Sequence, residues 1–234
     1  MGSILRREWN AYFSSPIGYI YLAVYYFFSG LFFFMFTLSY NTNDITSVFS
    51  NMFTIVLFLI PILTMRLFSE DKKYRTDQAL LTAPVSLTGL VMGKYLAAVA
   101  VFATGLSITI LFGLIVNFFV APNWGMIWGN FIAMLLLGMA VIAIGMLISS
   151  LTESQVIAAT GGFAAGMILM LVDVIAQGVQ NPFLSKILQA LSFSQHYYSF
   201  QDGIFRLADV LFFLGACAVF IFLTVRSLEK RRWS

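Results

Sequence analysis

Charged residues are scarce in this chain. Only 10% of its 234 residues are charged and 60% are hydrophobic, whereas roughly 25% of the residues of a soluble globular protein are charged. So few charges cannot cover a water-facing surface, and the composition therefore predicts that a lipid bilayer surrounds most of the protein. The basic residues flank apolar segments and form no single positive stripe, so the net charge of +3 does not indicate nucleic-acid binding.

Residues that carry chemistry are also few. A single cysteine, Cys217, excludes an intrachain disulfide and a cysteine-based metal centre. A single histidine, His196, excludes a site with paired histidine ligands within one chain. Residues 89–94 come closest to a phosphate-binding loop, but they have one residue too few between the glycines and are followed by Tyr95 instead of Ser or Thr. We therefore predict no catalytic residue, no metal site and no cofactor on this chain.

Six apolar segments are each long enough to cross a bilayer, which takes about 20 residues. Before them, residues 1–16 alternate apolar and polar side chains at helical spacing, which is typical of an amphipathic helix lying at the membrane interface. The predicted fold is an all-α membrane protein with a single transmembrane domain over residues 1–234. Its predicted parts are the interfacial helix (1–16), spans one and two (17–67), a charged loop (68–89), spans three to five (90–177), an outer segment (178–206), and span six with a basic tail (207–234).

The lysines and arginines predict the orientation of these spans. All but two of the 13 fall on the side that carries both termini and the charged loop, and only Lys186 and Arg206 fall on the other side. Connections rich in Lys and Arg stay in the cytoplasm. We therefore predict a multi-pass membrane protein with both termini in the cytoplasm.

Ionisable residues are nearly absent from the predicted spans. A charge in the middle of a bilayer is costly and is kept for a purpose such as ion coupling. Asp173 is the exception, and its position near the outer end of span five lets its carboxylate reach water. The scarcity of such charges disfavours a gradient-driven carrier or channel. That alternative stays open, as does a non-transporting membrane scaffold that acts on an envelope partner.

Two polar segments are longer than a simple connection needs. Residues 69–86 begin with mixed charges, and a short helix is predicted from Thr76, with Asp77 near its N-terminus and Pro84 at its end. Its apolar side chains indicate a docking element for a soluble partner, the alternative being a solvated loop on the membrane surface. On the outer side, residues 182–191 are amphipathic but too short to span, which predicts a re-entrant or interfacial hairpin.

Small residues recur at four-residue spacing in span five, at Ala158, Gly162 and Gly166. This spacing lets the backbone of another helix approach closely. We therefore predict helix packing at Gly162 and Gly166, either within the chain or across a dimer.

Three motifs lie in order along the chain. The first comprises Arg7-Glu8 and Tyr12-Phe13-Ser14-Ser15-Pro16, the second comprises Ser69-Glu70-Asp71, Thr76, Leu80-Leu81-Thr82, Pro84 and Ser86, and the third comprises Leu191-Ser192, His196, Phe200, Gly203 and Asp209. Together they resemble the motifs of ABC-2-type transporter permeases, and the closest branch is that of the gliding-motility and copper-processing permeases. Within the second motif, Arg75 stands where the family has glycine.

The resemblance implies one half of a permease, which pairs with a second copy as a homodimer or with a paralogue. It also implies a coupling helix in the charged loop that docks on a separate cytoplasmic ABC ATPase, the subunit that binds ATP and magnesium. The resemblance also implies that the outer segment is a re-entrant hairpin at the exit of the substrate path. A third, extracytoplasmic subunit is a further partner that the family allows. The predicted function is therefore the permease subunit of an ABC exporter and not an enzyme. The implied ATPase-coupling residues are Glu8, Ser69, Glu70, Asp71, Arg75, Thr76, Leu80, Leu81 and Pro84, and the implied hairpin residues are His196, Tyr197 and Gly203.

Overall fold

The computed structural model describes residues 2–74, 86–178, 181–201 and 206–232. These residues are helical almost throughout, and they include no β-strand. Six helical segments among them are long and apolar enough to cross a membrane, which confirms that part of the predicted fold. The six are named span 1 (Pro16–Leu38), span 2 (Thr46–Lys73), span 3 (Leu87–Asn117), span 4 (Trp124–Leu151), span 5 (Gln155–Ala176) and span 6 (Leu207–Lys230).

A separate helix, Gly2–Ser14, precedes span 1 and is called the N-terminal helix below. Ser15 is extended, and Pro16 then begins span 1, a position that suits proline because the first turn of a helix needs no backbone N–H donor. Span 1 is an α-helix over Pro16–Phe32 and continues as a π-helix over Phe33–Leu38. The N-terminal helix packs against the beginning of span 1 and against span 3.

Two of the six spans are interrupted helices. Span 2 is helical over Thr46–Thr64, turns over residues 65–68 and resumes as the short helix Ser69–Lys73. The first charges of the predicted loop therefore lie on a helix that continues span 2. Span 3 consists of the helices Leu87–Leu106 and Ile108–Asn117.

Spans 2 and 4 form the centre of the bundle. In their most apolar stretches 61% and 67% of the residues are buried, against 28%, 17% and 28% in spans 1, 5 and 6. Glycine permits the close packing of the central pair, since a Cβ atom on Gly145 would lie only 2.2 Å from Thr64 Oγ1. The outer spans turn most of their apolar side chains away from the core, as expected of surfaces that face lipid or another chain.

Gly162 and Gly166 on span 5 face span 2. A Cβ atom on Gly162 would lie 2.7 Å from Pro61 Cβ, and one on Gly166 would lie 3.0 Å from the carbonyl oxygen of Leu57. The sequence left open whether this packing occurs within the chain or across a dimer. The structure places it within the chain.

Two short helices, Pro182–Leu191 and Phe193–Gln201, lie between spans 5 and 6 and are called the hairpin below. The side chain of Asn181 caps the first helix by accepting the backbone N–H of Phe183 at 3.0 Å. The first helix packs along span 5, and the second packs against spans 4, 5 and 6. Gly203, which was assigned to the hairpin, lies outside the described residues.

Candidate functional site

A cluster of charged side chains joins three segments at the end of the bundle that carries the N-terminal helix, called the basic end. The Nζ atom of Lys94 lies 3.0 Å from Glu8 Oε1 and 2.7 Å from Asp71 Oδ2. Lys94 is only 2% exposed, so a single buried ammonium group neutralises carboxylates from two different segments. The cluster is called the junction and consists of Glu8 of the N-terminal helix, Arg66, Glu70 and Asp71 of span 2, and Lys94 of span 3.

Arg66 connects span 2 to the end of the N-terminal helix. Its Nε atom lies 2.9 Å from Glu70 Oε2, and its Nη1 atom donates a hydrogen bond to Ser15 Oγ. The guanidinium group also lies 5.3 Å from the centre of the Tyr12 ring, within the range of a cation–π contact. Glu70 therefore orients Arg66 towards the place where the N-terminal helix ends and span 1 begins.

Tyr12 anchors the N-terminal helix through an uncharged contact. Its hydroxyl group donates a hydrogen bond to the carbonyl oxygen of Leu63 at 2.9 Å. Burial raises the pKa of Tyr12 well above its usual value, so the hydroxyl group stays protonated and remains a donor. The backbone also packs tightly here, because a Cβ atom on Gly18 would lie 2.5 Å from the carbonyl oxygen of Tyr12.

Span 4 holds the turn that interrupts span 2. Ser149 Oγ accepts the backbone N–H groups of Phe68 at 3.1 Å and Ser69 at 3.2 Å, and Lys72 donates a hydrogen bond to the carbonyl oxygen of Ser150. A break in a helix leaves backbone N–H groups without partners. Ser149 satisfies two of them, so the short helix begins at Ser69 and its charged side chains are held in the junction.

The predicted ATPase-coupling residues divide into two groups. Glu8, Ser69, Glu70 and Asp71 come together at the basic end, whereas Arg75, Thr76, Leu80, Leu81 and Pro84 lie outside the described residues. Sequence reasoning missed Lys94 and treated Arg66 only as a boundary anchor. The available signal was that Lys94 is a lone charge within the otherwise apolar span 3, and a charge in such a position needs a partner.

At the opposite end of the bundle, acidic side chains hold the hairpin. Asp173 of span 5 accepts hydrogen bonds from the hydroxyl groups of Ser192 and Ser194. The sequence indicated only that this carboxylate reaches water. In the structure it binds the hairpin. On the other side of the hairpin, His196 Nδ1 lies 2.5 Å from Asp209 Oδ1 of span 6.

The second hairpin helix is also attached to span 2. Tyr197 is fully buried, and its hydroxyl group donates a hydrogen bond to the carbonyl oxygen of Phe49 at 3.0 Å. The hydroxyl group of Ser50 donates to Gln201 Oε1 at 2.9 Å. His196 and Tyr197 thus fix the hairpin against different spans. Within the described ranges, no group of three or more His, Cys, Asp or Glu side chains is placed to hold a metal ion.

Six apolar spans with a charged junction at one end occur in more than one class of membrane protein, so comparison with known proteins decides the family. A family model described as ABC-2 family transporter protein matches residues 31–233. The chain belongs to this family. It is a membrane permease of an ABC transporter. Permeases of this family are the transmembrane components of their transporters, and they normally pair with an ABC ATPase. A search of curated proteins finds no match to the chain.

Proposed function

We propose that this chain is the permease subunit of an ABC exporter and that its junction transmits movement from a separate cytoplasmic ATPase to the spans. ATP and magnesium bind to that ATPase. The spans lie in the bacterial inner membrane, and the basic end and both termini face the cytoplasm, an orientation that the excess of Lys and Arg at this end favours. A second copy or a paralogue completes the permease. The extracytoplasmic third subunit and the gliding-motility or copper-processing branch stay predictions.

The connections within the junction carry this proposal. The helix Ser69–Lys73 leads towards residues 75–85, the segment predicted to dock on the ATPase. Lys94 joins Asp71 both to the N-terminal helix and to span 3, and Arg66 joins Glu70 to the start of span 1. A push on the docking segment is therefore shared among spans 1, 2 and 3 instead of bending a loop.

The polarity of these contacts suits a mechanical link. Buried ion pairs hold their partners at fixed distances, because separating them would leave unpaired charges in a medium of low dielectric constant. Hydrogen bonds of Tyr12 and Arg66 also fix the N-terminal helix to span 2, so it moves with span 2 and not independently. We expect the spans at the basic end to tilt as bodies when the ATPase subunits close.

The experiment separates docking from transmission in the reconstituted complex of this chain with the ATPase that co-purifies with it. The double variant Leu80→Ser/Leu81→Ser removes apolar docking side chains, and we expect the ATPase to bind at least tenfold more weakly. Lys94→Met leaves the docking segment intact, so the ATPase should still bind while stimulation of its activity by the permease is lost. Glu229→Lys changes an exposed charge at the same end and serves as the matched control.

Wild-type ATPase binding by the double leucine variant would show that this segment does not dock. Wild-type ATPase stimulation in Lys94→Met would show that the junction does not transmit. The same preparation tests the alternatives, because a gradient-driven carrier or channel transports in liposomes without the ATPase. A non-transporting scaffold would stimulate ATP hydrolysis without any ATP-dependent flux.

A further inference from the structure

A polar cavity of about 260 Å³ lies at the hairpin end of the bundle, between the start of span 2 and the start of span 4. Asp44 and Thr46 of span 2 and its preceding turn line it together with Asn123 and Asn130, and the apolar side chains of Ile45, Met126 and Ile127 also line it. The two turns that frame it are linked, because Asn43 Nδ2 donates a hydrogen bond to the carbonyl oxygen of Ala121 at 3.4 Å. This cavity shares no residue with the junction or with the contacts that hold the hairpin.

Asn130 lines the cavity and carries a buried acceptor without a partner in the described part of the chain. Its side chain is buried, with the residue 0% exposed, and its Nδ2 atom donates a hydrogen bond to the carbonyl oxygen of Met126 at 2.9 Å. That hydrogen bond assigns the nitrogen and oxygen atoms of the side-chain amide. The Oδ1 atom then finds no hydrogen-bond partner among the described residues. A buried acceptor without a partner destabilises a fold, so the cavity favours a ligand that donates hydrogen bonds.

Thr46 and Asp44 add a second acceptor and a negative charge. The backbone N–H of Thr46 donates to Asp44 Oδ1 at 2.8 Å, which places the carboxylate beside the first turn of span 2. The buried Thr46 Oγ1 atom has no hydrogen-bond partner in the part of the chain that the structure describes. Of the described residues lining the cavity, Asp44 carries the only charge. The cavity thus combines acceptor oxygens with the carboxylate of Asp44, which is exposed to solvent.

We propose that this cavity binds a primary ammonium group. Such a group has a positive charge for Asp44 and N–H donors for the side-chain oxygens of Asn130 and Thr46. An anion is disfavoured by Asp44. A calcium ion takes about 6–8 oxygen ligands and usually several carboxylates, and this cavity offers one carboxylate.

The volume limits the size of the ligand. A water molecule takes about 30 Å³ of liquid, and pockets for drug-sized ligands have volumes of roughly 300–1,000 Å³. The cavity therefore accepts a small amine or the end of a longer molecule. The ammonium group has two natural sources at this end of the bundle, a free amine or the ethanolamine headgroup of a phospholipid, and both present the same chemistry to the three oxygens.

The experiment measures binding of radiolabelled ethylammonium to the full-length chain by equilibrium dialysis. The chain is held in nanodiscs of phosphatidylcholine, whose headgroup has no N–H donor. We expect saturable binding of one ethylammonium per chain. Tetramethylammonium, which has the same charge and no N–H group, should compete at least tenfold less effectively.

Two variants test the residues. Asp44→Asn retains a side-chain oxygen that can accept the N–H of Thr46, but it removes the charge. We expect it to bind ethylammonium at least tenfold more weakly with no change in folding. Asn51→Ala is the control, because Asn51 lies on the same span outside the cavity and bonds to Ser47 of its own helix.

Repeating the dialysis in nanodiscs that contain phosphatidylethanolamine identifies the source of the ammonium group. Reduced ethylammonium binding there indicates that the lipid headgroup occupies the cavity, and unchanged binding indicates a free amine. The proposal is overturned if no saturable binding occurs in phosphatidylcholine, if tetramethylammonium competes equally, or if Asp44→Asn binds as well as the wild type. None of these results bears on the proposed ATPase coupling, which depends on the other end of the bundle.

Discussion

Replacing Lys94 with methionine removes the central charge of the junction while keeping a side chain of similar length. Lys94 is 2% exposed, and the side chains of Glu8 and Asp71 that it contacts are 13% and 18% exposed. The variant therefore leaves two neighbouring carboxylates without their shared partner. Removing one member of a buried ion pair costs about 3–5 kcal/mol. Because Arg7 also contacts Glu8, at 2.5 Å, and both carboxylates keep some contact with water, we expect about 3 kcal/mol, the low end of that range.

Unfolding of the purified chain in mixed micelles, followed by its helical circular dichroism, measures this loss. A loss of about 3 kcal/mol lowers the equilibrium constant for folding by roughly 100-fold. The triple variant Lys94→Met/Glu8→Gln/Asp71→Asn removes the charges together, and we expect it to regain most of the lost stability, because no buried charge is left unpaired. Lys186→Met, at an exposed lysine of the hairpin, should change stability by less than about 0.5 kcal/mol.

Two results would refute this reasoning. If Lys94→Met changed the free energy of unfolding by less than about 1 kcal/mol, the pairing of Lys94 would not hold the basic end together. If the triple variant were as unstable as Lys94→Met alone, the loss would come from packing around the lysine side chain and not from the lost charge pairing.

Two further predictions concern the core and the hairpin. Gly145→Ala places a Cβ atom 2.2 Å from Thr64 Oγ1, so we expect the free energy of unfolding to fall by about 1–3 kcal/mol in the same assay. Gly30→Ala is the control, because its Cβ atom meets nothing within 4 Å and the free energy of unfolding should not change. His196→Leu removes the contact with Asp209, and amide hydrogen exchange in the second hairpin helix should become about tenfold faster, as expected for a lost bond to a charged group. Unchanged exchange would show that other contacts hold that helix.

The interruption of span 2 shows where sequence patterns stop being informative. The apolar run predicted that span two extends to residue 67, because hydropathy reports only how apolar a segment is. The turn over residues 65–68 depends on Ser149, a residue far along the chain, whose hydroxyl oxygen accepts the backbone N–H groups of Phe68 and Ser69. No local sequence pattern predicts such a hydrogen bond, because serine is also common in helices where it makes no bond to another segment.

The junction was visible in the sequence only in fragments. Glu8, Glu70 and Asp71 were singled out because their motifs resemble those of a family, and Lys94 was counted only as one basic residue on the inner side. Its burial between two carboxylates required the N-terminal helix to pack against span 3 and the short helix at the end of span 2 to bring Asp71 to the same lysine. These segments are far apart in sequence, so their meeting is a property of the packed bundle.

The sequence by itself determined that the protein spans a membrane six times and belongs with ABC-2 transporters. Both follow from local information, namely the length of each apolar run and motifs that can be read in order along the chain. The tertiary structure alone decided that Lys94 neutralises Glu8 and Asp71, that Gly162 and Gly166 pack against span 2, and that Asn130 lines a polar cavity. Each of these depends on which helix faces meet, and in a chain of nearly uniform hydrophobicity the apolar pattern does not distinguish a face that meets lipid from one that meets another helix.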